Sequence, residues 1–156
     1  NSCETWNGTN WTEVNNLNGA RYGIGTAGTS TAALAVSGFS PPYNTAVEIW
    51  NGTNWVEAPT YNLNVARADI GVSGTTTAAI AFGGSNPPTY PVAALTEDWN
   101  GVSWQETADM NTARTSTGTG ATSVSALASA GGPYPSASAL TEEWNVPGNV
   151  VKTLTD

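Results

Sequence analysis

The stretch Glu4-Thr5-Trp6-Asn7-Gly8-Thr9-Asn10-Trp11-Thr12-Glu13 decides how the chain is read. Asn-Gly is a strong short-range hairpin signal, because both residues tolerate the backbone conformations that a tight reversal needs. With 7–10 as a four-residue loop, Trp6 falls opposite Trp11. Counting outward by two places Glu4 opposite Glu13 on the same face, since strand side chains alternate. A cross-strand aromatic pair stabilises a hairpin by about 0.2–1 kcal/mol, and two facing carboxylates cost a similar amount. The acids therefore need a counter-charge.

The bracket recurs. Residues 48–57 repeat it as Glu48, Trp50, Asn51-Gly52, Trp55 and Glu57, and residues 97–106 as Glu97, Trp99, Asn100-Gly101, Trp104 and Glu106. A degenerate copy begins at Glu142-Glu143-Trp144-Asn145, where the same count would set Trp144 against Asn149 and Glu142 against Val151. The first tryptophans stand at 6, 50, 99 and 144, a period of 44 to 49 residues, which is the length of one supersecondary unit in a repeat protein.

Between brackets the chain follows one pattern. Asn-x-Ala-Arg closes a polar turn at Asn18 to Arg21, Asn64 to Arg67 and Asn111 to Arg114, and a Gly-rich segment follows. Apolar runs come next, at 31–36, 77–82 and 124–130, ending in Ser37-Gly38, Gly83-Gly84 and Gly131-Gly132. Short strands bounded by turn residues at this spacing predict an all-β fold. The only arginines are Arg21, Arg67 and Arg114, one per repeat. Each is expected near a glutamate pair of its own or the neighbouring repeat, its planar fork serving two carboxylates. Calcium ligation by each glutamate pair is the competing reading, but the Asp/Asn-Gly ligand loop of calcium motifs is missing. The expectation is a protein without metal or cofactor.

An arginine opening the first strand, Gly-Gly ending the second, a Glu-rich third and a Trp on the fourth resemble the kelch repeat. Ser37-Gly38 in place of Gly-Gly, and the tight Trp-Asn-Gly-Thr-Asn-Trp spacing, depart from that pattern. The resemblance implies four-stranded antiparallel β-propeller blades. The repeated Trp-Asn-Gly-Thr-Asn-Trp is also similar to kelch-like arrays in structural proteins of marine bacteriophages. One repeat domain over 1–156 is expected: an N-terminal Trp hairpin forming a half blade at 1–17, then blades at 18–60, 61–109 and 110–156. Three and a half blades do not close a ring of the usual size. The hairpin is expected to pair with another copy of the chain or with upstream repeats, because an unpaired strand edge is a template for another strand. The start at Asn1, without initiator Met or apolar leader, reads as a processed chain or a piece of a longer one.

Composition narrows the function. Four basic residues against twelve acids give a net charge of −8, which is unsuited to nucleic-acid backbones. No apolar run approaches the ~20 residues of a membrane span. The absence of His removes imidazole bases and Ser-His-Asp triads, and the single Cys3 cannot form an intrachain disulfide. Seven of the twelve acids occupy repeat positions, so they read as framework and not as one asymmetric catalytic constellation. Function is sought where repeats differ, in the segments between second and third strands, each with prolines and one tyrosine: Tyr43, Tyr90 and Tyr134. Rigid Pro-Tyr tips suit contact with sugars or a protein neighbour. Asn7, Asn10 and Asn51 sit in N-glycosylation sequons, although Asn-Gly-Thr is also an ordinary hairpin loop. The leading expectation is a non-enzymatic structural and binding module on a virion or other extracellular surface, such as a tail fibre, with possible host-glycan recognition. A self-assembling extracellular filament or adhesin is the alternative, and a glycan-processing enzyme comes last.

Overall fold

The computed structural model describes residues 2–86, 92–115, 121–132, 138–145 and 152–154. The protein is all-β, and among the described residues it forms one two-stranded and three four-stranded antiparallel sheets. An N-terminal hairpin pairs β1 (Cys3–Trp6) with β2 (Trp11–Val14). Sheet 1 runs in chain order through β3 (Gly25–Thr29), β4 (Ala32–Phe39), β5 (Tyr43–Trp50) and β6 (Trp55–Glu57). Sheet 2 repeats the order with β7 (Gly71–Gly74), β8 (Ala79–Phe82), β9 (Thr96–Trp99) and β10 (Trp104–Glu106). Sheet 3 follows with β11 (Ala121–Thr122), β12 (Ser125–Ser129), β13 (Thr141–Asn145) and β14 (Lys152–Leu154). One turn of 3-10 helix, Pro59–Tyr61, follows β6. Among the described residues no helix is long and apolar enough to cross a membrane.

The hairpin register is the one the loop count predicts. Trp6 faces Trp11 and Glu4 faces Glu13, Trp50 faces Trp55 and Glu48 faces Glu57, Trp99 faces Trp104 and Glu97 faces Glu106. The loop is held by its leading asparagine. Asn7 Oδ1 accepts from the Thr9 and Asn10 amides at 2.9 Å each, and Asn51 and Asn100 repeat the arrangement at 2.8 to 3.0 Å. An Asx side chain mimics a backbone turn in this way. The fourth bracket departs from the count: Glu142 faces Thr153 and not Val151, a displacement of two residues along the partner strand. Its loop carries Val146-Pro147-Gly148 after Asn145 in place of Gly-Thr-Asn, so the reversal that fixed the other registers is not encoded there.

The two faces of each sheet differ. In sheet 1 Ala33 and Ala35 lie opposite Trp50 and Glu48, while Leu34 and Val36 lie opposite Ile49 and Val47. One face is therefore small residues, indoles and a carboxylate, and the other is aliphatic. The sheets stack in one direction. Ala79, Ala81, Trp99 and Trp104 of sheet 2 pack on Leu34, Val36 and Val47 of sheet 1, and Ala126, Ala128 and Trp144 of sheet 3 pack on Ile80 and Phe82 of sheet 2. First strands meet along this stack, β3 against β7 and β7 against β11.

Candidate functional site

The arginines and glutamates form one device, used three times. Arg21 Nη1 donates to Glu48 Oε1 at 2.5 Å, Arg67 Nη2 to Glu97 Oε1 at 3.0 Å, and Arg114 Nη2 to Glu142 Oε1. Glu48 also accepts the amide of Asn18, Glu97 that of Asn64, and Glu142 those of Asn111 and Thr112. The forks also donate to carbonyls beside the strand ends, Arg67 to Gly83 and Leu95, Arg114 to Ala130 and Leu140, while Arg67 Nε has no partner among the described residues. These groups stand at 0 to 2 % exposure, and a buried charge is stable only when paired and hydrogen-bonded in this way. Burial pushes the Arg67 guanidinium below its ordinary range, and the neighbouring Glu97 carboxylate opposes that shift. Each of the three carboxylates accepts three hydrogen bonds, the guanidinium's among them.

One expectation about this device is corrected. Each arginine serves one glutamate of the facing pair and not both: Glu57 and Glu106, like Glu4 and Glu13, are exposed. Of the two placements expected, own or neighbouring repeat, the structure has the first: Arg21, Arg67 and Arg114 precede the first strand of the sheet that holds their glutamate. The bracket without an arginine is consequently the first, at Glu4, and the degenerate fourth bracket keeps its partner. Among the described residues no group of three or more Cys, Asp or Glu is placed to hold a metal.

The tryptophan pairs share a geometry, with ring centroids 5.4 to 5.5 Å apart and planes tilted by 37 to 45°. Their environments differ. Trp99 and Trp104 are buried at 1 and 4 %, Trp50 at 6 %, whereas Trp6 and Trp11 are 48 and 64 % exposed. The first indole of each full sheet donates to a carbonyl in the turn between first and second strands: Trp50 to Ser30, Trp99 to Thr76 and Trp144 to Ser123, at 2.9 to 3.1 Å.

Of the three predicted contact tyrosines, Tyr90 and Tyr134 lie outside the described residues. Tyr43 begins β5 and is half-buried, its ring edge-on to Phe39 at 4.8 Å and its hydroxyl 3.3 Å from Ser85 Oγ. Phe39 in turn stacks on Tyr22 at 5.2 Å, and Tyr22 is 67 % exposed. These rings border a cleft of about 440 Å³ that Asp69, Ser85, Val92 and Thr115 complete. Asp69 is exposed with a φ of 55°, a left-handed conformation that is uncommon outside glycine, and its amide donates to the Gly23 carbonyl at 2.7 Å. An exposed aromatic face beside one carboxylate and hydroxyls can stack on a sugar ring and hydrogen-bond its hydroxyls. Sequence reasoning missed Tyr22, Phe39 and Asp69. The available signal was the residue after each motif arginine, Tyr22, Ala68 and Thr115, where the repeats also differ.

Of the sequon asparagines, Asn7 and Asn51 spend their side-chain oxygens in the loops, and Asn10 is exposed. Cys3 is half-buried in β1. The chain matches no protein-family model and no curated protein.

Proposed function

We propose that the chain is a non-enzymatic structural and binding module of a virion or other extracellular surface, its three full sheets acting as kelch-like β-propeller blades and its N-terminal hairpin as a half blade. One observation carries the binding part: the Tyr22–Phe39–Tyr43 cleft, an open aromatic surface with Tyr22 67 % exposed, where Phe82, Trp99 and Trp104 of sheet 2 are buried. Support for the scaffold part comes from the arginine–glutamate device, whose repetition stiffens each unit without offering a reactive group. Glycoside hydrolysis would need two facing carboxylates about 5–9.5 Å apart, and among the described residues Asp69 is the one carboxylate bordering this cleft. Glycans on the producing host's surface are the ligand class the cleft suits best.

A glycan array read with the full chain, and again with Tyr22→Ala and Asp69→Asn, tests the binding part. Retention that both variants abolish supports it, and an array blank for the wild type removes it. Antibody labelling of purified virions tests the location.

The filament reading has its own support. The outer face of sheet 3 leaves Leu127 44 % exposed where its counterparts Leu34 and Ile80 are fully buried, and the Trp6–Trp11 face is open at the other end. These are the two halves of the contact that joins consecutive sheets, and a head-to-tail contact of that kind propagates unless it closes. Long bare polymers in negative stain would favour it.

A further inference from the structure

In every full sheet the third strand is flanked on both sides, as in β4–β5–β6 and β8–β9–β10. β1 occupies that third position in the N-terminal hairpin, yet among the described residues it pairs with β2 alone. Its free edge borders a groove of about 340 Å³, with Thr5 and Trp6 on one wall and Ser30, Ala33, Trp50 and Trp55 on the other. The edge is also unmatched chemically. Glu4 is exposed and has no arginine among the described residues, while Glu48, Glu97 and Glu142 are each sealed by one. Trp6 is half-exposed, while the corresponding Trp50, Trp99 and Trp144 are buried and bonded to a turn carbonyl.

We propose that this groove is a docking site for a β-hairpin of the repeat's own first-half type, supplied by another copy of the repeat. The three complete sheets specify what fits. The docked strand runs antiparallel to β1 and places alanine opposite Trp6 and opposite Glu4, as Ala33 and Ala35, Ala79 and Ala81, and Ala126 and Ala128 do in their sheets. A lone methyl leaves room for the indole and the carboxylate to lie across it. A large aliphatic residue stands between the alanines, opposite Thr5. It points into the groove against Ala33 and Trp50, as Leu34 and Val36 do against Ala79, Ala81 and Trp99. The arginine that leads the hairpin reaches Glu4, and the turn between its strands offers a carbonyl to the Trp6 indole. The glycine after the strand donates to the Arg21 carbonyl, as Gly38 does to Arg67 and Gly84 to Arg114, each at 2.9 Å.

A glycan would also find four tryptophans here. It would leave the outward main-chain groups of Glu4 and Trp6 without a partner strand and Glu4 without a cation, whereas the hairpin satisfies both. The inference rests on the repeat-assembly part of the proposed function and is independent of the virion and glycan parts.

The test adds a synthetic peptide of residues 18–40 to the full chain and follows tryptophan emission, titration calorimetry and amide exchange. One-to-one binding is expected, with a blue shift from Trp6 and slowed exchange at the β1 amides. Glu4→Gln in the protein and Arg21→Ala in the peptide should each weaken binding by roughly tenfold or more, the scale of a lost charge-assisted hydrogen bond, and the two together by little beyond either alone. Since an isolated hairpin is marginally stable, a second form joins the same 23-residue segment ahead of Asn1 through a Gly/Ser linker, and the same emission shift and exchange protection are read within one chain. Absence of the shift and protection in the linked form, binding indifferent to Glu4→Gln, displacement of the hairpin by oligosaccharide, or a dimer of the chain that occupies the β1 edge and resists the peptide would each overturn the proposal. A blank glycan array leaves it untouched.

Discussion

Replacing Glu97 by Ala should be among the most destabilising single changes in this protein. The carboxylate takes the Arg67 guanidinium on one oxygen at 3.0 Å and the Asn64 amide and side-chain nitrogen on the other at 2.8 and 2.9 Å. Its loss leaves a fully buried cation with only the Gly83 and Leu95 carbonyls, at 2.9 and 2.7 Å. Burial already lowers the Arg67 pKa, and the largest opposing influence is Glu97 itself. Removing one member of a buried pair costs about 3–5 kcal/mol, against a total stability of about 5–15 kcal/mol for a domain. Arg67→Met with Glu97→Ala removes both charges, so the double variant should recover 1–3 kcal/mol of the summed single losses, roughly the coupling seen for residues in one network. Glu106→Gln is the control. It faces Glu97 across the hairpin but is exposed, and its change should stay within about 0.5 kcal/mol. Denaturant unfolding followed by tryptophan emission gives the four free energies of the cycle and that of the control, and amide exchange should place the loss in sheet 2. If Glu97→Ala costs under about 1 kcal/mol, or the two single effects simply add, the pair is not the buried, mutually dependent unit described here.

The tryptophans should separate by burial: Trp99→Ala should cost about 3–5 kcal/mol as a core truncation, and Trp11→Ala under about 1 kcal/mol, read from the same unfolding curves. Ser37 holds a φ of 57° at a position that is glycine in the other repeats; its hydroxyl lies 2.7 and 2.5 Å from the Asn44 and Arg67 carbonyls, its one proton donated to either, and accepts from the Arg67 amide at 3.2 Å. Ser37→Ala should lose about 1–3 kcal/mol by stranding buried polar groups, and Ser37→Gly should lose less because it relieves the backbone; a reversed order in thermal melts would count against this account. Desolvation raises the Asp98 carboxyl above its ordinary pKa, so the folded state favours its protonated form. Its stabilising effect is complete below the unfolded value of about 3.9 and is lost as pH rises through the higher folded value. Asp98→Asn should therefore flatten that part of the stability–pH curve and leave the protein slightly more stable at pH 7, by no more than about 0.5 kcal/mol for so exposed a group.

Much of this protein is determined locally and could be read without coordinates. An asparagine that bonds two amides ahead of it fixes the loop at four residues. Once the loop is fixed, strand alternation sets which residues face each other, and Trp6–Trp11, Trp50–Trp55 and Trp99–Trp104 follow by counting. The fourth bracket lacks that loop, and there the count failed by two residues. Tertiary structure decided everything that depends on what lies above or beside a sheet. Glu48 and Glu57 are equivalent in a hairpin, yet one is buried on Arg21 and the other faces solvent. The choice is made because Glu48 lies on a central strand, flanked by β4 and β6, and Glu57 on the outermost one. Tyr22 and Asp69 likewise meet only because β3 and β7 lie together, two strands separated by 41 residues of chain. Turn geometry is a property of a few neighbouring bonds, whereas desolvation and ion pairing depend on surfaces that exist only after the sheets have stacked.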